Sequence, residues 1–481
     1  MSKSETPVLN DIYNDCQITN NIKKKYRDSS TCILENYELI NSPFRLLKLT
    51  DLISDSSFKD LLIKDLKELE FIRKDNDLYN LRQSCDLNNC NVESISKFVV
   101  LLRSKIEPLL STIMGVTFNG TLSVTASLYR SGEYLLCHDD RCDDRCVAFV
   151  YYLTESENEA GGHFRMFEHN VENGQPTRVS CSLPPKANSL ICFEVGNYTY
   201  HEVGEVLDEN FERLSINGWF HSDSNLNKEG LNYIDPMPRL YPQISPEAPL
   251  TLNKYINKTY CAQSNIVLAQ EQFEKDSFIL LSDFFVSDFF KTCAESMKEI
   301  TSWEVIGPAN RRRYECSELE SLPGPLQIMI NLIRSPMFIS YLKDITGLDL
   351  IPNSDEEEND KCTEMTLQIQ KWTNGSYTMA TDNDAFFHKS GLDMIFYFNS
   401  DLFCRGEDNY GGCTVYLASG ESDSDSVSLA DDSELLTVEP QDNALVLIYR
   451  TSDTVRFTKY INHYNSGLFH AISATYFEPE T

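Results

Sequence analysis

The feature that most constrains this chain is that it repeats itself. Residues 51–69, DLISDSSFKDLLIKDLKEL, and residues 283–300, DFFVSDFFKTCAESMKEI, carry Asp, Phe-Lys and Lys-Glu in the same order. Both place apolar residues at helical spacing after a Ser/Asp start, which predicts an N-capped amphipathic helix in each. Further pairs follow in order: 147–153 with 392–398, 161–167 with 411–417, 188–195 with 443–450, and 213–220 with 470–477. Such a series implies a tandem duplication. In each copy helices precede short apolar strands, which in the first copy fall near 121–129, 147–153, 163–167, 189–195 and 213–220. Many short strands after a helical half predict a β-sandwich or jelly roll backed by helices.

The proline-dense stretch DPMPRLYPQISPEAP (235–249) separates the copies and reads as a stiff linker or strap. Two acidic tracts, 353–360 and 421–434, account for the extra length of the second copy and are too polar to pack. The expected layout is an N-terminal extension over 1–40, a first domain over 41–235, a linker over 236–250 and a second domain over 251–481. A net charge of -31 argues against nucleic acid as a direct ligand and favours a basic protein partner, while solubility alone would account for it equally. The 15 cysteines form no framework pattern, and the first residues lack an apolar signal core. Reduced thiols in the nucleus or cytoplasm are therefore expected, with no membrane span.

The stretch YLLCHDDRCDDRC (134–146) concentrates metal-ligand chemistry, in a chain with only 8 histidines. One reading is zinc held by Cys137, His138, Cys142 and Cys146. Against it, the cysteine spacing is not that of a paired knuckle, and Cys146 opens an apolar strand. The other reading takes His138 and Asp140, which point to one side of an extended segment. His201, just past strand 189–195, would complete a two-histidine, one-carboxylate set, which suits non-haem Fe(II) and leaves positions open. On strand 213–220, Arg213, Ser215, Asn217 and Trp219 share a face opposite Leu214 and Ile216. A buried guanidinium needs an anion, and the far carboxylate of 2-oxoglutarate fits it bidentately.

These residues resemble the Fe(II)/2-oxoglutarate-dependent dioxygenases. FIRKDNDLYNLRQSCDL (71–87), YLLCHDD (134–140), the glycine pair 161–162, SINGWFH (215–221), TVEPQDNALVLIYR (437–450) and RFTKYINH (456–463) resemble the ribosomal prolyl 3-hydroxylase branch, from about Pro43 to Phe477. The resemblance implies an α+β fold class of two tandem double-stranded β-helix domains, jelly-roll or cupin-like, with the first catalytic and the second degenerate. It implies Fe(II) on His138, Asp140 and His201, 2-oxoglutarate on Arg213 with Tyr129, Tyr152 and Ser215 nearby, dioxygen, and ascorbate as an accessory reductant. The implied substrate is a proline in the basic decoding-centre protein of the small ribosomal subunit. The setting would be nucleus and cytoplasm, with translation-termination factors as further partners. Loops near 71–90 are expected to close over substrate. The alternatives are the same chemistry on another protein and a binding platform in translation complexes. Within the duplication, Thr381 falls opposite His138, Asn383 opposite Asp140, Arg456 opposite His201 and His470 opposite Arg213, so the second copy is expected to be inert.

Overall fold

The computed structural model describes residues 7–142, 144–156, 158–223, 233, 235, 237–244, 251–350, 363–380, 389–401, 403, 410–418 and 434–477. Two compact units divide the chain: Met1–Tyr233 with Pro308–Asn310, and Ile234–Gly307 with Arg311–Thr481. Both mix helices with sheets.

In the first unit the helices are α1 (Cys16–Arg27), α2 (Ser56–Lys67), α3 (Glu93–Leu101) and α4 (Glu107–Met114). The expected cap of α2 is Asp55, whose carboxylate accepts from the Ser57 and Phe58 amides at 3.0 and 3.3 Å. Phe58, Leu62 and Leu66 recur at four-residue spacing and are fully buried. Each contributes about 1.5–3 kcal/mol relative to exposure. The strands are β1 (Cys32–Ile33), β2 (Tyr37–Ile40), β3 (Leu46–Leu49), β4 (Ile72–Asp75), β5 (Tyr79–Gln83), β6 (Leu122–Tyr129), β7 (Tyr134–His138), β8 (Arg145–Tyr152), β9 (Phe164–His169), β10 (Pro176–Leu183), β11 (Ser189–Glu194), β12 (His201–Val203) and β13 (Arg213–His221). They run in the order β1-β2-β3-β11-β8-β13-β6-β5-β7-β12-β9-β10, with β4 on β5. One face of the β8–β13–β6 layer packs Phe149, Leu214, Ile216 and Val124 against the helices. The other face looks toward β9 and β12, and it carries the polar residues of β13.

The second unit has helices α5 (Leu252–Tyr255), α6 (Gln263–Asp276), α7 (Ser287–Lys298), α8 (Gly324–Ile333) and α9 (Pro336–Thr346). Its strands are β14 (Leu240–Pro242), β15 (Phe278–Leu281), β16 (Glu304–Ile306), β17 (Arg312–Ser317), β18 (Glu364–Trp372), β19 (Tyr377–Thr378), β20 (Gly391–Phe398), β21 (Thr414–Ala418), β22 (Glu434–Val438), β23 (Leu445–Arg450), β24 (Thr454–Thr458) and β25 (Phe469–Phe477). The large sheet runs β15-β23-β20-β25-β18-β17-β16, and a small one runs β22-β21-β24. Strand for strand, β15-β23-β20-β25-β18-β17 corresponds to β3-β11-β8-β13-β6-β5 of the first unit. A side-chain clip recurs with it. Asn188 and Asn443 both have positive φ, 60° and 56°. Asn188 accepts from the Ile53 amide and donates to the Ile53 carbonyl, each at 3.0 Å. Asn443 does the same with Phe285, at 2.9 and 3.1 Å.

Several expectations change. Residues 7–40 are not an appendage: Leu9 bridges Ile53, α1 buries Ile22 and Tyr26, and β1 and β2 extend the sheet. The stretch 71–90 is mostly a β4–β5 hairpin. Part of the linker adds β14 to β18, because Leu240–Pro242 can pair along an open edge. The N-cap expected for α7 is missing, since Val286 at that position has no side-chain acceptor. The acidic tract 353–360 and residues 421–433 lie outside the described residues, as do Thr381 and Asn383.

Candidate metal and cosubstrate site

Backbone pairing builds the site. β7 ends on His138, β12 begins on His201, and the antiparallel ladder sets the two opposite each other. Asp140 follows His138 by two residues as the strand runs out. His138, Asp140 and His201 thereby offer ligand atoms that all lie within 4.8 Å of one another. The Asp140 carboxylate is 3.6 Å from His138 Nε2 and 3.5 Å from His201 Nε2.

Second partners fix the imidazoles. Nδ1 of His138 is 2.8 Å from the Leu136 carbonyl, and Nδ1 of His201 is 2.8 Å from the Thr199 carbonyl. A carbonyl can only accept, so each Nδ1 carries the proton and each Nε2 turns its lone pair inward. Burial pulls the His201 pKa down to about 4, with His138 adding to the effect. For Asp140, burial acts upward but is outweighed by His201 and His138, so its carboxyl is held well below the usual range. Burial works against the charged form of His138, but the Asp140 carboxylate outweighs it and raises its pKa. Two imidazoles that can turn a bare Nε2 inward and one ionised carboxylate, converging in a largely buried space, would suit a divalent cation such as Fe(II). Among the described residues no cysteine joins this group. Cys137 packs with Phe167 and Tyr200, and Cys146 lies in the helix-facing core.

The anion end stands on β13. Arg213 is 1% exposed and Ser215 is equally buried. Arg213 Nε donates to the Gly162 carbonyl at 2.9 Å, and Nη1 donates to Ser215 Oγ at 3.3 Å. Its guanidinium carbon sits 4.9 Å from the Tyr129 ring centre and 5.1 Å from that of Tyr152. Burial pushes the Tyr129 hydroxyl up to about 12. Arg213 Nη2 and the Tyr152 hydroxyl are buried and make no hydrogen bond of good geometry, though the guanidinium interacts with that hydroxyl, and among the described residues no carboxylate pairs with Arg213. A buried cation with an unsatisfied donor, next to an unsatisfied hydroxyl, fits a carboxylate.

Gly162 was visible in the sequence only as half of a glycine pair. Its role is to hold the arginine: φ is +68°, and a Cβ there would stand 3.1 Å from Arg213 Cδ. Asn217 and Trp219 continue the inward face of β13; Asn217 Oδ1 is buried without a hydrogen-bond partner, and the buried Trp219 Nε1 interacts with the Asp140 carboxylate and helps keep it ionised, without a hydrogen bond of good geometry. The Arg145 guanidinium covers the Trp219 ring at 3.8 Å.

In the second unit Arg456 faces Tyr416 across β24–β21, as His201 faces Met166 across β12–β9. The expectation for Arg213 is corrected by one residue. Tyr152 pairs with Ser215 and Tyr397 pairs with Ala471, so the position matching Arg213 is Phe469. His470 lies on the opposite face, 3.1 Å from the Asn399 amide nitrogen and 5.5 Å from the Trp303 ring. A one-residue shift reverses the face of every side chain on a strand.

A family profile described as the 2OG-Fe(II) oxygenase superfamily matches residues 124–221. Another, described as oxoglutarate and iron-dependent oxygenase degradation C-term, matches residues 248–480. The chain is 34% identical to prolyl 3-hydroxylase OGFOD1 of Xenopus laevis over 438 residues, covering 85% of this chain and 82% of the relative. It is 31% identical to the Mus musculus protein of the same name, covering 88% and 85%. Identity to prolyl 3-hydroxylase sudestada1 of Drosophila melanogaster is 29%, covering 92% and 84%. Among solved structures, a Pseudomonas putida prolyl-4-hydroxylase aligns at a TM-score of 0.31 and 19% identity, covering 37% of this chain and 93% of that one.

Proposed function

This chain belongs to the 2-oxoglutarate- and Fe(II)-dependent oxygenase family, and from that premise we propose that its first unit is a peptidyl-prolyl 3-hydroxylase. Fe(II) and 2-oxoglutarate are its cofactor and cosubstrate. The substrate we assign is a proline in the basic decoding-centre protein of the small ribosomal subunit, with an effect on translation accuracy and termination. The site of action is nucleus and cytoplasm. A chain of net charge -31 suits a strongly basic substrate. Both units are read as double-stranded β-helix domains, and the second as non-catalytic.

One observation carries the reading: a largely buried His138–Asp140–His201 cluster stands in the same unit as a buried Arg213 whose Nη2 makes no hydrogen bond of good geometry. When bound, Fe(II) and 2-oxoglutarate supply the oxidising power, consuming dioxygen and releasing succinate and carbon dioxide. The chain's own part is placement. His138, Asp140 and His201 present three donors on one side and leave the other side open. Arg213 holds the far carboxylate, with Ser215 and the Gly162 carbonyl fixing the guanidinium. Tyr152 offers a hydroxyl beside it. Tyr129 contributes a ring face that keeps water from the ion pair, which strengthens it. The remaining task is to hold one prolyl C–H within reach, which is a matter of orientation. Ascorbate would serve as an accessory reductant.

The test is incubation of the full chain with the ribosomal protein, Fe(II) and 2-oxoglutarate. A gain of one oxygen atom on a prolyl peptide, with hydroxyproline assigned as the 3-isomer, is the expected result. Succinate formed without any oxygen on that protein would move the substrate elsewhere, and no succinate under any condition would overturn the enzyme reading.

A further inference from the structure

A cavity of about 300 Å³ lies inside the second unit, between the large sheet and strands β21 and β24. Three arginines line it, Arg312, Arg450 and Arg456, and no acidic side chain does so among the described residues. That is unexpected in a chain with 73 acidic and 42 basic residues. The carboxylates that hold these arginines are not themselves among the lining residues. Asp393, fully buried, accepts from Arg456 Nη1 at 2.6 Å and lies 3.6 Å from Arg450 Nε. Its other oxygen accepts from Thr475 Oγ1 at 2.7 Å. Asp235 accepts from Arg312 Nη2 at 2.7 Å. A guanidinium carries five N–H donors and can serve a second acceptor while keeping its first.

Stacked aromatic rings also line the cavity. The Trp372 ring stacks on Tyr314 with centres 4.9 Å apart and planes at 11°, and on Phe469 at 5.9 Å and 12°. All three line the cavity. A third observation points to a ligand. The Tyr397 hydroxyl, on a residue only 2% exposed that also lines the cavity, interacts with the neighbouring Thr414 side chain but makes no hydrogen bond of good geometry. Buried hydroxyls are paired as a rule, so one left without such a bond at the wall of a cavity marks a place for a polar guest.

We propose that the second unit binds a small organic anion, a carboxylate or phosphate monoester with a flat apolar body. The anion would face Arg312, Arg450 and Arg456, the body would lie along Tyr314, Trp372 and Phe469, and the Tyr397 hydroxyl would give a directional contact. Relative to the first unit the logic is inverted. Where His201 serves a cation in one unit, Arg456 serves an anion in the other.

Phenyl phosphate, phenylacetate and neutral benzyl alcohol are titrated by calorimetry into the full chain, anaerobically, with Fe(II) and saturating 2-oxoglutarate so that the first unit is filled. One or both anions are expected to bind at least tenfold tighter than benzyl alcohol, and which one wins separates phosphate from carboxylate. Tyr397→Phe, which removes one oxygen and conserves the ring, is expected to weaken the tighter anion several-fold. Ala471→Leu, which narrows the cavity, is expected to weaken it more than tenfold, with both variants melting cooperatively. Equal affinity for benzyl alcohol, unaltered affinity in both variants, or no saturable binding at millimolar probe would overturn the proposal. Succinate formation, read in separate aerobic samples, tests the oxygenase reading and not this one.

Discussion

The two units share a strand order and an asparagine clip but differ where side chains enter the space between their sheets. In the first, β12 contributes His201 and β13 contributes Arg213. In the second, the matching positions are Arg456 and Phe469. Where the first unit has an imidazole the second has a guanidinium, and where the first has Arg213 the second has an apolar ring against Trp372. Tyr129, which pairs with Arg213, likewise has Trp372 as its counterpart, paired with Phe469. The backbone that orients the side chains persists, and the chemistry at the tips does not. A fold is therefore a poor guide to activity unless these few inward positions are read individually.

The largest expected effect separates the units outright. His138→Ala or Asp140→Ala should abolish Fe(II) binding and lower succinate formation by more than about 100-fold, since even partners of metal ligands commonly cost 10–100-fold. Metal analysis of the parent chain should give one iron per chain. Two per chain, or full turnover in either variant, would erase the distinction between the units.

Next comes Arg213→Ala. Truncating one side of a buried charge pair costs about 2–5 kcal/mol, so the 2-oxoglutarate requirement should rise by roughly 30-fold or more. The thermal stabilisation given by added 2-oxoglutarate should shrink with it. An unchanged requirement would reject the clamp.

The clips sharpen the structural half of the comparison. Asn188→Ala and Asn443→Ala each remove two hydrogen bonds to buried backbone, and should each cost about 2–3 kcal/mol by denaturant melts. The Asn443 change should leave succinate formation per folded molecule intact. If only one of the two destabilises, the shared clip is not a shared support.

A smaller effect is expected for Arg456→Gln. Asp393 keeps Arg450 at 3.6 Å and the Thr475 hydroxyl, so the loss should be about 1–3 kcal/mol, with turnover unchanged. Smallest of all, Thr381→Ala should alter neither iron content nor turnover, and loss of iron on that change would contradict an inert second copy.

How much of this was legible in the sequence differs by element. The HxD pair could be read because alternation along an extended segment is local, and the inward face of β13 could be read for the same reason. The helix within 51–69 announced itself through its Ser/Asp start and the helical spacing of its apolar residues. The hairpin at 72–83, the strand β10 and the packing of residues 7–40 were not legible, because weakly apolar strands such as Ile72–Asp75, exposed along its length, are held by cross-strand pairing and not by their own pattern.

By itself the sequence offered two stretches with the same order of elements, the HxD pair, and the alternation that places Arg213 and Ser215 on one strand face, since all of these follow from residue order and a period of two. Tertiary structure alone decided that His201 meets His138, that the Gly162 carbonyl holds Arg213, and that Phe469 rather than His470 faces inward. Each of these depends on the register between strands distant in the chain. Register is set by hydrogen bonds and burial summed over a whole sheet, and a slip of one residue, invisible to local pattern, exchanges the two faces.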